Sequence, residues 1–182
     1  IGHAVDKAEL IIMGGTFNAQ PKEYQEGFVT RCLDAMNDFG YVEKQSSHHL
    51  LEAQTYNEKA QVRNVGITLE TRPDYCKKEH VDEMLRLGVT RVEVGVQSII
   101  KGVYEKVRRG HTIEDVAVAT RITRDAGIKV GYHMMPGLFA GYEEDLLQFR
   151  ELFINPNYKP DFLKIYPTLI IKGTKLYELW MH

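Results

Sequence analysis

Residues Glu9–Tyr24 read ELIIMGGTFNAQPKEY: an apolar run, a break at Gly14-Gly15, and a proline-led amphipathic segment. An apolar run closed by glycines predicts a buried strand, and Pro21 suits the first turn of the helix after it. The same unit recurs along the chain. Runs rich in β-branched or apolar residues at Val65–Glu70, Arg91–Gln97, Lys129–Met135 and Phe162–Tyr166 each read as a further buried strand. Helical patterns lie between them. Tyr24, Phe28, Cys32, Ala35 and Phe39 share one predicted face, and Val81, Met84 and Leu85 share another before Gly88. Thr112 and Asp115 form a capping box ahead of Val116 and Ala119, Gly127 stops that helix, and Leu146, Phe149 and Phe153 mark the next.

Strand and helix in this alternation imply right-handed crossovers and a parallel sheet, either barrel-like or doubly wound. The exception is Tyr41–Asn64, which contains SSHHLLEAQTYNEKAQ. It is too long and polar for a plain connection and is predicted to carry a helix of its own, as an insertion or a partner-facing element.

At 182 residues and 43% hydrophobic content the chain is the size of one domain with a sizeable core. A net charge of −2 excludes a global basic field for nucleic acid, leaving local clusters such as Lys77-Lys78 and Arg108-Arg109 to meet phosphates. Cys32 and Cys76 are too far apart for a metal motif, and no disulfide framework is present, which fits a reducing cytoplasm. No apolar run approaches the roughly 20 residues of a membrane span. The chain begins without Met and ends in the helical-looking LYELWMH, so it reads as a piece of a longer protein.

In parallel α/β folds ligands sit at the carboxyl ends of the strands. Those ends read Gly14-Gly15-Thr16, Glu70-Thr71-Arg72-Pro73, Gly95-Val96-Gln97-Ser98, His133-Met134-Met135-Pro136 and Tyr166-Pro167-Thr168. Singly, each has a structural explanation: a tight turn, a Glu70–Arg72 ion pair, a loop-bonding Gln97, a core histidine. Together they suit a zwitterionic nucleoside. Glycines let an ammonium reach backbone acceptors, Thr16 adds a hydroxyl, Glu70 faces a positive centre, Gln97 bonds ribose, and Arg109 forks onto a carboxylate. Those are the parts of S-adenosylmethionine.

Over nearly its whole length the chain resembles the radical S-adenosylmethionine superfamily and, within it, the family of Elongator catalytic subunits, the tRNA uridine acetyltransferases. VDKAELIIMGGTF, GITLETRPDYC, RVEVGVQS, RRGHT, HMMPGL and FLKIYPTLIIKGTKLYELW carry the resemblance, in that order. It implies an α/β fold, a partial (β/α)6 TIM-like barrel of the radical type occupying residues 1–182. The first strand and the cluster loop would be missing from its start and the acetyltransferase domain from its end. By resemblance, Gly14, Gly15 and Thr16 receive the methionine amino group, Thr16 standing where many radical enzymes have Glu. Glu70, Gln97 and Arg109 hold the methionine and ribose parts, and His133 lies near another ribose contact. Lys7 matches a lysine associated with acetyl-CoA, and Lys164 and Tyr166 are the catalytic or tRNA-contacting residues.

The implied cofactors are a [4Fe-4S] cluster whose three cysteines lie outside this chain, S-adenosylmethionine and acetyl-CoA; no metal ligand is assigned within the chain. The implied reaction starts with a 5′-deoxyadenosyl radical, which abstracts hydrogen from the acetyl methyl group, and the resulting carbon radical adds at carbon 5 of the wobble uridine. The fragment alone is expected to be inactive. The implied partners are the tRNA anticodon stem-loop, guided by Lys77, Lys78, Arg108, Lys172 and Lys175, and Elongator-type subunits or a second copy. Two alternatives stand beside this reading: a porphyrinogen-oxidase-like radical enzyme and a non-catalytic RNA-binding scaffold. The complete Gly14-Gly15, Glu70, Gln97 and Arg109 set argues against the scaffold.

Overall fold

The computed structural model describes residues 2, 4–42 and 46–181. Five strands, β1 (Lys7–Ile12), β2 (Arg63–Thr71), β3 (Arg91–Gln97), β4 (Lys129–Met134) and β5 (Phe162–Ile165), pair in sequence order, every pair parallel. They curl into a half-barrel. The helices between them are α1 (Lys22–Asn37), α2 (Leu50–Asn57), α3 (Lys78–Leu87), α4 (Val103–Val107), α5 (Ile113–Asp125) and α6 (Tyr142–Ile154), with α7 (Lys175–Met181) after the last strand.

Side chains alternate along each strand, so one face of the sheet packs on the helices and the other lines the barrel interior. Ile67, Leu69, Val92, Val94, Val96, Val130, Tyr132 and Met134 are buried in the single hydrophobic core. Glu9, Thr68, Glu70, Arg91, Glu93, His133 and Lys164 occupy the inner face, linked by Thr68 Oγ1 donating to Glu9 at 2.7 Å and an Arg91–Glu9 ion pair at 3.3 Å. Gly131 sits on this face because the Phe162 ring lies across it. A Cβ there would come within 2.1 Å of the ring, whose other neighbour is the Arg91 guanidinium 5.2 Å from its centroid.

All five expected strands form, and the Thr112–Asp115 capping box closes as read. The interval Tyr41–Asn64 carries α2; its residues 43–45 lie outside the described residues. α2 is tied to α1 through Asn57 Nδ2 donating to Asn37 Oδ1 at 2.7 Å, and Asp34 accepts from Ser47 Oγ at 2.6 Å.

Two helix faces differ from the sequence expectation. Tyr24, Phe28, Ala35 and Phe39 are exposed, while Gln25, Val29, Thr30, Leu33 and Asp34 are buried. Polar contacts account for part of this, although Gln25 Oε1 and Thr30 Oγ1 are buried with no hydrogen bond among the described residues. Gln25 donates to Gln20 O at 2.7 Å and Asp34 binds Ser47, so two polar side chains join the buried stripe. The aromatics instead form a surface cluster, Phe17 packing edge-on to Phe28 at 5.4 Å. On α6, Leu146 and Phe153 are exposed and Phe149 is partly buried. The buried residues are Leu152 and Gln148, the latter accepting from Ser98 Oγ at 3.1 Å and Ile99 N at 3.0 Å.

Candidate functional site

The carboxyl ends of the strands gather most of the expected residues at one rim. After β1 the chain turns through Gly14 and Gly15 at φ 88° and 66°, a region that an L side chain rarely adopts, with open space beside both Cα atoms. Asn18 braces this turn against the next loop: its amide donates to Tyr75 O at 2.6 Å and its oxygen accepts from Thr71 Oγ1 at 2.6 Å. Glu70 reaches the same turn, Oε2 accepting from Gly14 N at 3.3 Å. Thr16, half-buried, starts the short 3-10 turn Phe17–Ala19.

Beneath the rim is a buried polar cluster. Glu93, 3% exposed in the middle of β3, accepts a hydrogen bond from Lys164 Nζ and lies 2.8 Å from His133 Nε2. Glu70 Oε1 lies 3.8 Å from Lys164 Nζ and 4.0 Å from His133 Nε2. Burial pushes the Glu93 carboxyl up, but the hydrogen bonds from Lys164 and His133 outweigh it and hold the group below the usual carboxylate range. Burial likewise presses Lys164 down, and Glu93 more than compensates, leaving the ammonium firmly charged. Tyr166 closes this side, its ring edge-on to His133 at 5.4 Å. Glu70, Glu93 and His133 offer ligand atoms within 4.8 Å of one another, as a metal site would, but the Lys164 ammonium already lies against this group as its cation.

The third part is basic. Arg109 Nη2 donates to Gly95 O at 2.7 Å, while its Nε is buried without a partner. A Cβ at Gly95 would meet that Nη2 at 2.8 Å and the Gln97 amide at 3.3 Å, so the missing side chain brings Arg109 and Gln97 together. Gln97 itself holds φ 68°, a strained position for a non-glycine residue. Arg72 pairs with Asp74 at 2.8 Å and not with Glu70, because its guanidinium folds back on its own loop. Glu70 thereby keeps its contact with Gly14.

His111 is buried against the Tyr104 ring at 4.7 Å, both ring nitrogens lacking hydrogen bonds among the described residues. Burial, helped by the Arg109 guanidinium, lowers its pKa to about 4. In the unfolded chain a histidine protonates near pH 6.5, so the stability from keeping His111 neutral is complete above about pH 6.5 and is lost as pH falls toward 4. Thermal midpoints measured across that window should fall less steeply for His111→Phe than for the wild type. Equal slopes would locate the acid sensitivity elsewhere.

The rim can thus receive a ligand with an ammonium, a carboxylate and hydroxyls: backbone at the glycine turn, the Arg109 fork, and the Gln97 amide. Lys7 is not among these groups. It starts β1 at the opposite end of the sheet, roughly 20 Å from Gly14 along an extended run, where it lines a 540 Å³ cleft with Asn57, Arg63 and Asn64. Cys76 is fully buried and pushed up to about 12, and Cys32 is half-buried on α1, so neither is built as a cluster ligand.

Sequence reading by strand ends missed Glu93, Asn18 and His111. Glu93 carried a usable signal: a lone acid at the centre of RVEVGVQ, a strand otherwise read as buried.

Comparison with known proteins narrows the chemistry. A family model described as the radical SAM superfamily matches residues 1–153. The chain is 51% identical over 181 residues to a tRNA uridine(34) acetyltransferase of Methanocaldococcus infernus, covering 99% of this chain and 33% of that protein. It is 48% identical to human Elongator complex protein 3, covering 99% and 32%. The chain therefore spans about a third of the length of the curated relatives it matches. The solved structure of the archaeal Methanocaldococcus infernus Elp3 with an N-terminal deletion superposes at a TM-score of 0.90 and 51% identity, over 99% of this chain and 41% of that one. Escherichia coli coproporphyrinogen III oxidase, at 0.62 and 21% over 92% and 32%, shares the fold.

Proposed function

The chain belongs to the radical S-adenosylmethionine superfamily, and from that premise we propose that its rim is the S-adenosylmethionine site of a tRNA wobble-uridine acetyltransferase. The observation that carries this reading is the convergence of Gly14, Glu70, Gln97 and Arg109 at one end of the sheet, with the buried Arg109 Nε unpartnered. The cofactor's groups fit that set. The glycine turn and Thr16 receive the ammonium, the Arg109 fork takes the carboxylate, Gln97 and His133 meet the ribose, and the Glu70 charge faces the positive centre. When bound beside a reduced [4Fe-4S] cluster, S-adenosylmethionine supplies hydrogen-abstracting radical chemistry. The cluster's cysteines belong to sequence outside this chain.

In this reading the protein's share is binding, orientation and exclusion of water. Lys164 and Tyr166, at the inner face and mouth, are the residues that meet the reacting groups or the uridine. The product carries a carboxymethyl-type group at carbon 5, its carbon drawn from acetyl-CoA. The substrate is the anticodon stem-loop of a tRNA. Exposed Lys77, Arg108 and Lys172 lie in connections leaving the carboxyl ends of β2, β3 and β5, with Lys78 opening α3 and Lys175 opening α7, a placement suited to phosphates at the mouth. The whole protein would work in the cytoplasm, alone or with Elongator-type subunits or a second copy, and the part seen here would be inactive by itself. No helix among the described residues is long and apolar enough to cross a membrane.

The reading is tested by 5′-deoxyadenosine formation in the full-length, anaerobically reconstituted protein; its absence under reducing conditions would sink it. We assign the cleft at Lys7 to acetyl-CoA, where Lys7 and Arg63 present two cations to its phosphates. Lys7→Ala should lower acetyl-CoA turnover about tenfold, one charge-assisted contact's worth. Normal turnover with full tRNA modification would remove Lys7 from the site.

A further inference from the structure

Two carboxylates on the inner face compete for one ammonium. Lys164 Nζ is hydrogen-bonded to Glu93, and Glu70 Oε1 stands 3.8 Å from the same nitrogen, beyond hydrogen-bond reach. The Lys164 side chain is one-third exposed on a flexible stem, so a shift of about 1 Å would bring it onto Glu70 instead. What holds it is burial. The Glu93 side chain is 3% exposed against 18% for Glu70, and an unpaired carboxylate costs more where water cannot reach it. His133, 2.8 Å from Glu93, fixes the carboxylate from the other side.

We propose that Glu93 is a positioning residue that retains Lys164, so that Glu70, only loosely paired with the ammonium at 3.8 Å, keeps part of its negative charge directed at the Gly14 turn. The inference rests on the S-adenosylmethionine reading of that turn and adds to it the device that keeps the rim anionic. Without Glu93, Glu70 would draw in the lysine three strands away, and a cationic ligand would meet a closed ion pair in place of a loosely paired carboxylate. Glu93, the register partner of Glu70 on the neighbouring strand, takes up most of the lysine's charge because it is the more buried of the two. The two acids share one ammonium unequally, Glu93 through a hydrogen bond and Glu70 through a looser ion pair at 3.8 Å.

The test is equilibrium dialysis of S-adenosylmethionine against the full-length, cluster-loaded protein without reductant, so that binding is read and not turnover. Glu93→Gln keeps the shape and the hydrogen-bonding oxygen but removes the charge, which releases Lys164 toward Glu70. Affinity should fall about tenfold, the loss of one charge-assisted interaction. Adding Lys164→Met removes the competitor, and affinity should return to within about threefold of the wild type, a strongly non-additive pair.

Unchanged affinity in Glu93→Gln would overturn the proposal. So would a double variant as weak as Glu93→Gln alone, which would show that Glu93 acts on the shape of the site. Glu70→Gln separates this inference from the reading beneath it. If wild type binds, Glu70→Gln loses affinity and Glu93→Gln does not, the positioning role fails while the cofactor site stands. If Glu70→Gln binds as well as wild type, the Glu70 charge plays no part and the inference fails while the cofactor site stands; if wild type does not bind, the cofactor reading fails and takes the inference with it.

Discussion

Arg109→Ala in the full-length, cluster-loaded protein is expected to lower 5′-deoxyadenosine formation by on the order of a hundredfold or more, with the iron–sulfur absorbance unchanged. Truncating one partner of a buried charge pair costs about 2–5 kcal/mol, which converts to factors from about 30 to several thousand. The geometry puts Arg109 toward the upper part of that range. One arm is already spent on the Gly95 carbonyl at 2.7 Å, which fixes the guanidinium plane, and the buried Nε has no partner among the described residues. A ligand carboxylate completes the set. Arg109→Lys should recover little, since an ammonium cannot both hold Gly95 O and present a planar fork. Unchanged 5′-deoxyadenosine production in Arg109→Ala would show that the carboxylate is held elsewhere.

Gly131→Val is expected to lower the unfolding free energy of the chain by about 3 kcal/mol, the upper end of the ordinary cost of overpacking. The Phe162 ring occupies the space a side chain would need, its nearest atom 2.1 Å from an added Cβ. The ring cannot swing away without leaving the Arg91 guanidinium, and the backbone there is held by parallel pairing to both β3 and β5. Urea unfolding measures the loss, and Gly131→Val combined with Phe162→Ala should recover part of it by making room. Equal midpoints for wild type and Gly131→Val would show that the ring moves freely.

The fold was legible because its strands are packed on helices and held between neighbours, which selects β-branched residues on the helix-facing side, such as Val92, Val94 and Val96. The rim was legible for a related reason: ligand-facing residues in this topology must come from strand ends. Glu93 was not found by that rule because it stands two pleats below the Gln97 end, where alternation and not chain position turns it inward. The α1 face misled for another reason. Hydrophobic periodicity ranks Tyr24 and Phe28 above Gln25 and Asp34, and it has no way to see that Gln20 O accepts from the Gln25 amide and that Asp34 binds Ser47. The position of Lys7 shows a limit of motif matching. VDK precedes the glycine turn closely in sequence, yet a strand's length of extended chain puts its lysine at the far end of the barrel.

Asn18, hydrogen-bonded to both Thr71 and Tyr75, gives the glycine turn and the following strand's loop a shared fate. Neither segment can open to solvent without breaking the same pair of bonds, so they form one cooperative opening unit rather than two. Hydrogen exchange at Gly14–Asn18 and at Thr71–Cys76 should therefore respond together to loss of the Asn18 amide.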